Sequence, residues 1–423
     1  MSPESPARRL VAALHQYAEE LEAIKVSLEG SMMLFTYITM EKEREMKEFA
    51  QKYGTEVEDT EELLRFNIPP SKISDYRRLN SQLMSMRSAH RLMPRNLLVA
   101  LVCTYDAFLG KLIRFILEVQ PSILDLSERQ LSFSELQNFE SIDAAREFII
   151  EKEIETVLRK SHIDHFKWLE KKLETPFNKG LESWPNFVEL TERRNLFVHT
   201  DGKVSSQYLK VCGDHKCNID QGTVIGTTLG MPSGYFDNCY NCLYEIGIKL
   251  AHVVWRNLLK DDLVNIDTNL NDMSLSLIEK GNYQISIKVL EFFTQNQMKH
   301  KSDASKRIMV INLAQAYKWN GQDEACLKLL DKHDWSSSMG KFSLAVAVLK
   351  DDWDVAFEYM KKLKHDSDFD KVFYKSWPLF KRLRKHEKFP EIYQECYNEH
   401  FESREELLTS ENPSDKMPGK NGT

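Results

Sequence analysis

The stretch 96–117 constrains this chain most. Its apolar positions Leu97, Leu98, Leu101, Val102, Tyr105, Phe108, Leu109, Leu112, Ile113 and Ile116 recur at three- and four-residue intervals, the period of a helix face. Pro94 stands where a helix tolerates a missing N–H, at its opening, and Pro121 marks its end. A helix this apolar needs neighbours around it, so the chain is expected to build a helical bundle. Asp106, Lys111 and Arg114 inside the stretch favour a core helix over a membrane span. Asp106 interrupts the stripe, either as a polar partner within the core or as part of a site, and the structural role is favoured.

The remainder of the sequence agrees. Sixteen glycines and thirteen prolines in 423 residues leave long unbroken stretches that favour helix. With 42% hydrophobic and 29% charged residues, the chain is an ordinary folded one. A net charge of −7 gives no global attraction to nucleic acid, so any RNA contact must be local. Seven cysteines and an opening, MSPESPARRL, without an apolar run point to a reducing cytoplasm and no secretory leader. Phosphate-loop, dinucleotide-binding and H-E-x-x-H patterns do not occur, so ATP, nicotinamide and zinc-protease chemistry have no motif to rest on.

Four segments follow from the punctuation. Residues 1–90 are expected as a helical arm, with a charged helix near 40–53 and a loop at Pro69-Pro70. Residues 91–260 are expected as the bundle, with helices near 144–159 and 164–173, a third from Trp184-Pro185 to the Asp201-Gly202 turn, a glycine-rich loop, and a long helix over 235–259. Residues 265–402 hold degenerate helix-turn-helix units. LIEKGNYQISIKVL, AYKWNGQDEACLKLL and VLKDDWDVAFEYM align on Gly281, Asn320 and Asp351, with small residues five positions on at Ser286, Ala325 and Ala356. A fourth unit, LRKHEKFPEIYQECY, places Phe389 where the others have Tyr283, Gln322 and Trp353. Units of this spacing bury their faces by stacking, and they resemble a divergent tetratricopeptide-type array. Such surfaces suit a protein partner or trigger. The tail, 403–423, is polar and expected to be disordered.

The helix ending in TERRNLFVHTDGKV carries the candidate chemistry. Phe187, Leu190, Phe197 and Val198 form an apolar stripe with Arg194 in its middle. A guanidinium there must be paired or face a site. Asn195 and His199 lie four apart on a neighbouring face. Glu189, Glu192 and Arg193 lie within about a turn and are expected on a solvated charged face. An arginine, an amide and an imidazole thus gather at one helix end.

Arg194-Asn195-Leu196-Phe197-Val198-His199, with the flanking ERRNLFVHTDGKVSSQYL and the upstream LVALVCTYDAFLGKLI, resembles the R-x4-6-H motif of the HEPN superfamily. That resemblance covers roughly residues 90–260. It implies an all-α helical bundle and a metal-independent endoribonuclease of prokaryotic anti-phage defence or toxin-type growth arrest. It implies no cofactor, an RNA substrate, and a homodimer in which two motifs share a cleft. In that frame Arg194 binds the scissile phosphate, His199 transfers protons and Asn195 orients the substrate or the imidazole, with Arg194 at or near the dimer seam. A cation pair at a helix C-terminus also arises for the helix dipole alone, so a non-catalytic HEPN-type dimerisation protein with a protein-binding array stands as the alternative.

Two further clusters are weighed. Cys212, Cys217, Cys239 and Cys242 have spacings that a structural zinc uses, but Cys239 and Cys242 fall on a helix beside core residues, and core thiols are the favoured account. Lys361, Lys362, Lys364, Lys371, Lys375, Lys381, Arg382, Arg384 and Lys385 interleave with Phe373, Tyr374, Trp377 and Phe380. Either an RNA-contacting face or a solvated helix face over core aromatics accounts for them, the second being favoured.

Overall fold

The computed structural model describes residues 5–60, 63–125, 131–177, 181–232, 234–295, 298–335, 340–366 and 369–401. The expected disordered tail, 403–423, lies outside the described residues. Among the described residues the chain is all-α apart from one antiparallel strand pair. It divides into two compact units, Met1–Lys260 and Asp261–Thr423.

The first unit opens with α1 (Pro6–Tyr53), capped by Ser5, whose hydroxyl accepts from the Arg8 N–H. Strands β1 (Thr55–Thr60) and β2 (Leu63–Asn67) pair antiparallel, and α2 (Ile73–Val119) returns against α1. Helix α1 buries Leu10, Ala13, Leu14, Tyr17 and Leu21, whereas Val26, Met33, Tyr37 and Met40 further along stand exposed. Helix α2 does not begin at Pro94, as the sequence predicts, but runs through it. Pro94 has no N–H for the carbonyl four residues back, yet packing along α1 carries the helix across the gap. The apolar half of α2 lies among α1, α5 (Ile142–Leu158), α7 (Trp184–His199) and α9 (Tyr235–Leu258). By length and composition α2 passes as a membrane-crossing helix, but Leu98, Leu101, Val102, Tyr105 and the residues from Leu112 to Leu117, except Arg114, are buried against protein.

The remaining helices of this unit are short: α3 (Ser122–Asp125), α4 (Phe133–Leu136), α6 (His162–Leu173) and α8 (Ser206–Asp214). Ser132, Ser141, Ser161 and Ser205 cap α4, α5, α6 and α8 with their hydroxyls, satisfying N–H groups that a helix start leaves bare. Helix α9 is buried on nearly every side. Its Gly247 lies under the Tyr17 ring of α1, where a Cβ would come within 2.3 Å of the ring. The Tyr17 hydroxyl donates to the Leu243 carbonyl at 2.7 Å.

In the second unit, α10 (Leu263–Glu279) pairs with α11 (Tyr283–Gln295), α12 (Asp303–Trp319) with α13 (Asp323–Asp331), and α14 (Gly340–Leu349) with α15 (Trp353–Leu363). Each turn has one left-handed residue, Gly281, Gly321 or Asp351. After each, an N–H returns to the carbonyl five residues back: Asn282 to Leu277, Gln322 to Tyr317, Asp352 to Ala347. This is one helix-stopping motif used three times. It shifts the middle unit by one residue from the sequence alignment: Gly321, not Asn320, matches Gly281 and Asp351. The buried small residue is then Cys326 rather than Ala325, in line with Ser286 and Ala356.

The fourth unit departs from the others. After α16 (Val372–Ser376), the segments Pro378–Lys381 and Leu383–Lys385 are 3-10 turns, and only α17 (Phe389–Tyr397) is a helix. Tyr374, Phe380, Phe389 and Tyr393 close this end of the core. Several neighbouring cations are paired, Lys361 with Glu395 and Arg382 with Asp351, and Lys371 with Glu399. Tyr374 and Phe380 are therefore core, and the basic stretch is largely a solvated, ion-paired face.

Candidate functional site

Helix α7 carries the motif, and its end is built by local chemistry. Thr200 returns its N–H to the Leu196 carbonyl, and Gly202 bonds the same carbonyl at 2.9 Å. Asp201 and Gly202 both take left-handed backbone, φ 51° and 80°. Gly202 is required twice over, by its positive φ and because a Cβ there would lie 2.9 Å from the Leu229 carbonyl oxygen. The chain then runs beside the glycine-rich loop, Val204 and Leu229 taking backbone bonds from it and to it. Arg95 of α2 fastens this turn from below. Buried, it donates to Asp201 Oδ1 and to the Leu229 carbonyl, both at 3.0 Å, and lies over the Phe197 ring.

Arg194 is paired within its own chain, one of the two outcomes expected for a guanidinium in the stripe. Its NH2 donates to Asp106 Oδ2 of α2 at 2.9 Å and its NH1 to Asn195 Oδ1 at 3.1 Å. The carboxylate that interrupts the apolar stripe of α2 thus balances the guanidinium that interrupts the stripe of α7, as two charges in a half-buried place must. The other oxygen of Asp106 contacts His162 Nε2 at 2.9 Å, and His162 lies 3.5 Å from Arg194 NH2. His162 and His165 lie one turn apart at the start of α6. Burial, and then the neighbouring His162, hold the His165 imidazole down at about 4. Burial also raises the Glu192 carboxyl.

One ligand atom each of Asp106, His162 and His165 falls within 4.8 Å of the others, a spacing a divalent cation could share. The Arg194 guanidinium already occupies the cationic role beside Asp106 and would repel a metal there.

His199 is the last residue of α7 and is exposed. No hydrogen bond or ion pair reaches it among the described residues. Five residues apart on a helix, Arg194 and His199 leave the axis about 140° apart and about 7.5 Å along it, so within one chain they do not converge. Asn195 turns its oxygen to Arg194 rather than to His199.

Glu189 and Arg193 belong to a network rather than to a solvated face. Buried Glu189 accepts from Arg193 Nε, from the Tyr208 hydroxyl and from the Tyr235 hydroxyl. The Arg193 guanidinium lies 4.1 Å over the Tyr235 ring. This ties α7 to α8 and α9 and fixes the helix that carries the motif.

The four cysteines considered for zinc do not form one cluster among the described residues. Cys212 and Cys217 share a hydrogen bond, which with burial raises the Cys212 thiol. Burial pushes the Cys239 thiol up to about 12, and Cys242 donates to the Ser183 carbonyl at 3.6 Å. Zinc needs thiolates directed to one point. Here the helical positions of Cys239 and Cys242 direct one to the Glu189 network and the other to the start of α7.

Sequence reasoning missed Arg95, His162 and His165. Asp106 was the available signal: a carboxylate inside an apolar stripe needs cationic partners, but their positions follow only from how α2, α6 and α7 cross. Comparison with protein-family models, with curated proteins and with solved structures gives no match for this chain.

Proposed function

We propose that this chain is a metal-independent endoribonuclease of HEPN type, with Arg194, Asn195 and His199 as its working residues. The observation that supports it is the end of α7: a guanidinium held in place by Asp106 and Asn195, and an imidazole about a turn and a half on that is exposed and that no described residue bonds. Arg194 keeps one donor on NH1 for a phosphate oxygen, since NH2 faces both Asp106 and His162 and Nε is buried, and a charge-assisted bond to phosphate suits arginine. One imidazole takes the proton of the ribose 2′-hydroxyl as its oxygen attacks phosphorus. A second gives a proton to the departing 5′-oxygen. The products are a 2′,3′-cyclic phosphate and a 5′-hydroxyl. A homodimer supplies the second imidazole and sets the Arg194 of one chain toward the His199 of its partner, which a single chain keeps apart. The setting is prokaryotic anti-phage defence or toxin-type growth arrest, and the helix pairs of the second unit act as sensor or regulator.

The test is incubation of the purified protein with total RNA in EDTA, beside Arg194→Ala and His199→Ala. Cleavage lost in both supports the enzyme, and identical traces from all three overturn it. The second reading, a non-catalytic dimerisation protein, draws on the ion pair that neutralises Arg194. It requires RNA to stay intact in this assay and Arg194→Ala to change stability alone.

A further inference from the structure

Helix α2 presents an unpartnered face between its start and Pro94. At about 100° per residue, Arg77, Ser81, Ser85, Ser88 and Arg91 fall on one side of the helix, with Arg78 at the edge, and all of them are exposed. From Arg77 to Arg91 this face runs about 21 Å along the axis. Helix α1 lies on the other side, where Leu83 is buried and His90 meets Thr36.

The charges of this face differ from those beside it. The adjoining stretch of α1 has glutamates at 41, 43, 45 and 48, and each is paired: Glu41 and Glu48 with Arg44, Glu45 with Lys42, Glu43 with Arg87 of α2. The only acid of α2 before Pro94 is Asp75, which pairs with Lys72 and by helical period lies well off the face. Arg77, Arg78 and Arg91 bond nothing among the described residues. A solvated, ion-paired helix face has acids among its bases. Here three guanidiniums stand without one, on a chain whose net charge is −7.

The face also leads to the candidate site. One turn beyond Arg91, the same side of α2 carries Arg95, which holds the Asp201-Gly202 turn just past His199. About three turns further it carries Asp106, which holds Arg194.

We propose that this face binds the phosphates and 2′-hydroxyls of a double-stranded RNA stem, beside the nucleotides that reach Arg194 and His199. Phosphates supply the counter-charge that the arginines lack, and serine hydroxyls bond phosphate and sugar oxygens. The minor groove of an RNA duplex is wide and shallow and displays its 2′-hydroxyls, so one helix face can lie against it. Between Arg77 and Arg91 the helix has no Phe, Tyr or Trp on which an unpaired base could stack, as single-strand sites require. A lipid surface calls for a continuous apolar stripe, whereas this side offers only Met84 and Leu92 between its polar groups. The proposal rests on the ribonuclease reading for its consequence, but the binding is read without cleavage.

The experiment uses the full chain with His199→Ala, which keeps the RNA whole. A fluorescein-labelled RNA duplex of about 16 base pairs is titrated by anisotropy over a range of salt, beside the DNA duplex of the same sequence and one RNA strand alone. Arg77→Gln/Arg78→Gln/Arg91→Gln is compared with Lys362→Gln/Lys364→Gln/Lys375→Gln, which removes as many exposed charges from the second unit. The expected result is a Kd for the RNA duplex at least about tenfold weaker in the arginine variant and unchanged in the lysine variant. The slope of log Kd against log salt should fall by about one for each arginine that meets a phosphate. The DNA duplex and the single strand should bind more weakly than the RNA duplex. Equal affinity of all three proteins, an equal loss in the lysine variant, or DNA held as tightly as RNA overturns the proposal. So does a chain that leaves the RNA duplex free and binds phosphatidylserine vesicles through the same arginines. If the native chain cuts no RNA in EDTA yet duplex binding is lost with the arginines, the nuclease reading fails and this proposal stands. If it cuts RNA and the arginine variant binds the duplex normally, the reverse holds.

Discussion

Asp106 accepts from two cationic or potentially cationic groups, the Arg194 guanidinium and the His162 imidazole. Asp106→Asn keeps its shape and removes its charge, leaving a guanidinium whose side chain is only 18% exposed without a counter-ion. A loss of about 1–3 kcal/mol in urea unfolding is expected, since the pair is only partly buried. His199→Ala should stay within about 0.5 kcal/mol of the native chain, because His199 is exposed and no described residue bonds it. His165 adds a pH dependence. Its pKa is about 4 in the folded chain against about 6.5 unfolded, so between those values the unfolded chain binds more protons. Stability therefore falls as pH drops from about 6.5 to about 4, by up to roughly 3 kcal/mol from this group. His165→Phe should flatten that part of the pH–stability curve; an unchanged slope would mean that His165 is not held neutral by burial.

The elements show what could be read before folding and what could not. Helices α5, α6, α7 and α9 fall within about two residues of the ranges their apolar periods predict, because each has an apolar face and a cap or turn residue at its end. Three features escaped. The strand pair of β1 and β2 interrupts the helical arm expected over 1–90, and TEVEDT carries no clear strand alternation. Helix α8 lies within SSQYLKVCGD, where Gly213 and the loop beyond it favour reading the whole stretch as loop. In the second unit, Asn320 precedes Gly321, and only the observed backbone shows which of the two takes the left-handed turn. The candidate site was half legible: the residues of the motif were in view, but their partners come from helices 32 and 88 residues away. Packing between elements sets its own test. Gly247→Ala places a methyl into the Tyr17 ring and should cost at least about 1–3 kcal/mol. Tyr17→Leu in the same background should recover part of it, and an additive double mutant would place the clash elsewhere.

At the scale of the whole chain, a unit with its own buried core carries the motif and another with its own core carries the helix pairs. A chain ending at Lys260 is therefore expected to fold. If the helix pairs restrain the nuclease, the truncated chain should cut RNA faster than the full chain and arrest growth at lower expression. Equal rates and equal growth would remove the regulatory role. The shared-cleft arrangement makes its own demand, since mixing Arg194→Ala with His199→Ala chains should restore one intact site in a heterodimer and part of the activity.

The proposed cleavage uses the substrate's own 2′-oxygen and a site made by Arg194 and His199. It is tested most directly by the mass of the product ends from a defined RNA oligonucleotide in EDTA, with and without a single 2′-deoxy sugar at the cut. The expected result is a 2′,3′-cyclic phosphate on the upstream fragment, no cut at the deoxy position, and neither product with His199→Ala. Ends bearing a 3′-hydroxyl, or cleavage indifferent to the missing 2′-hydroxyl, would contradict it.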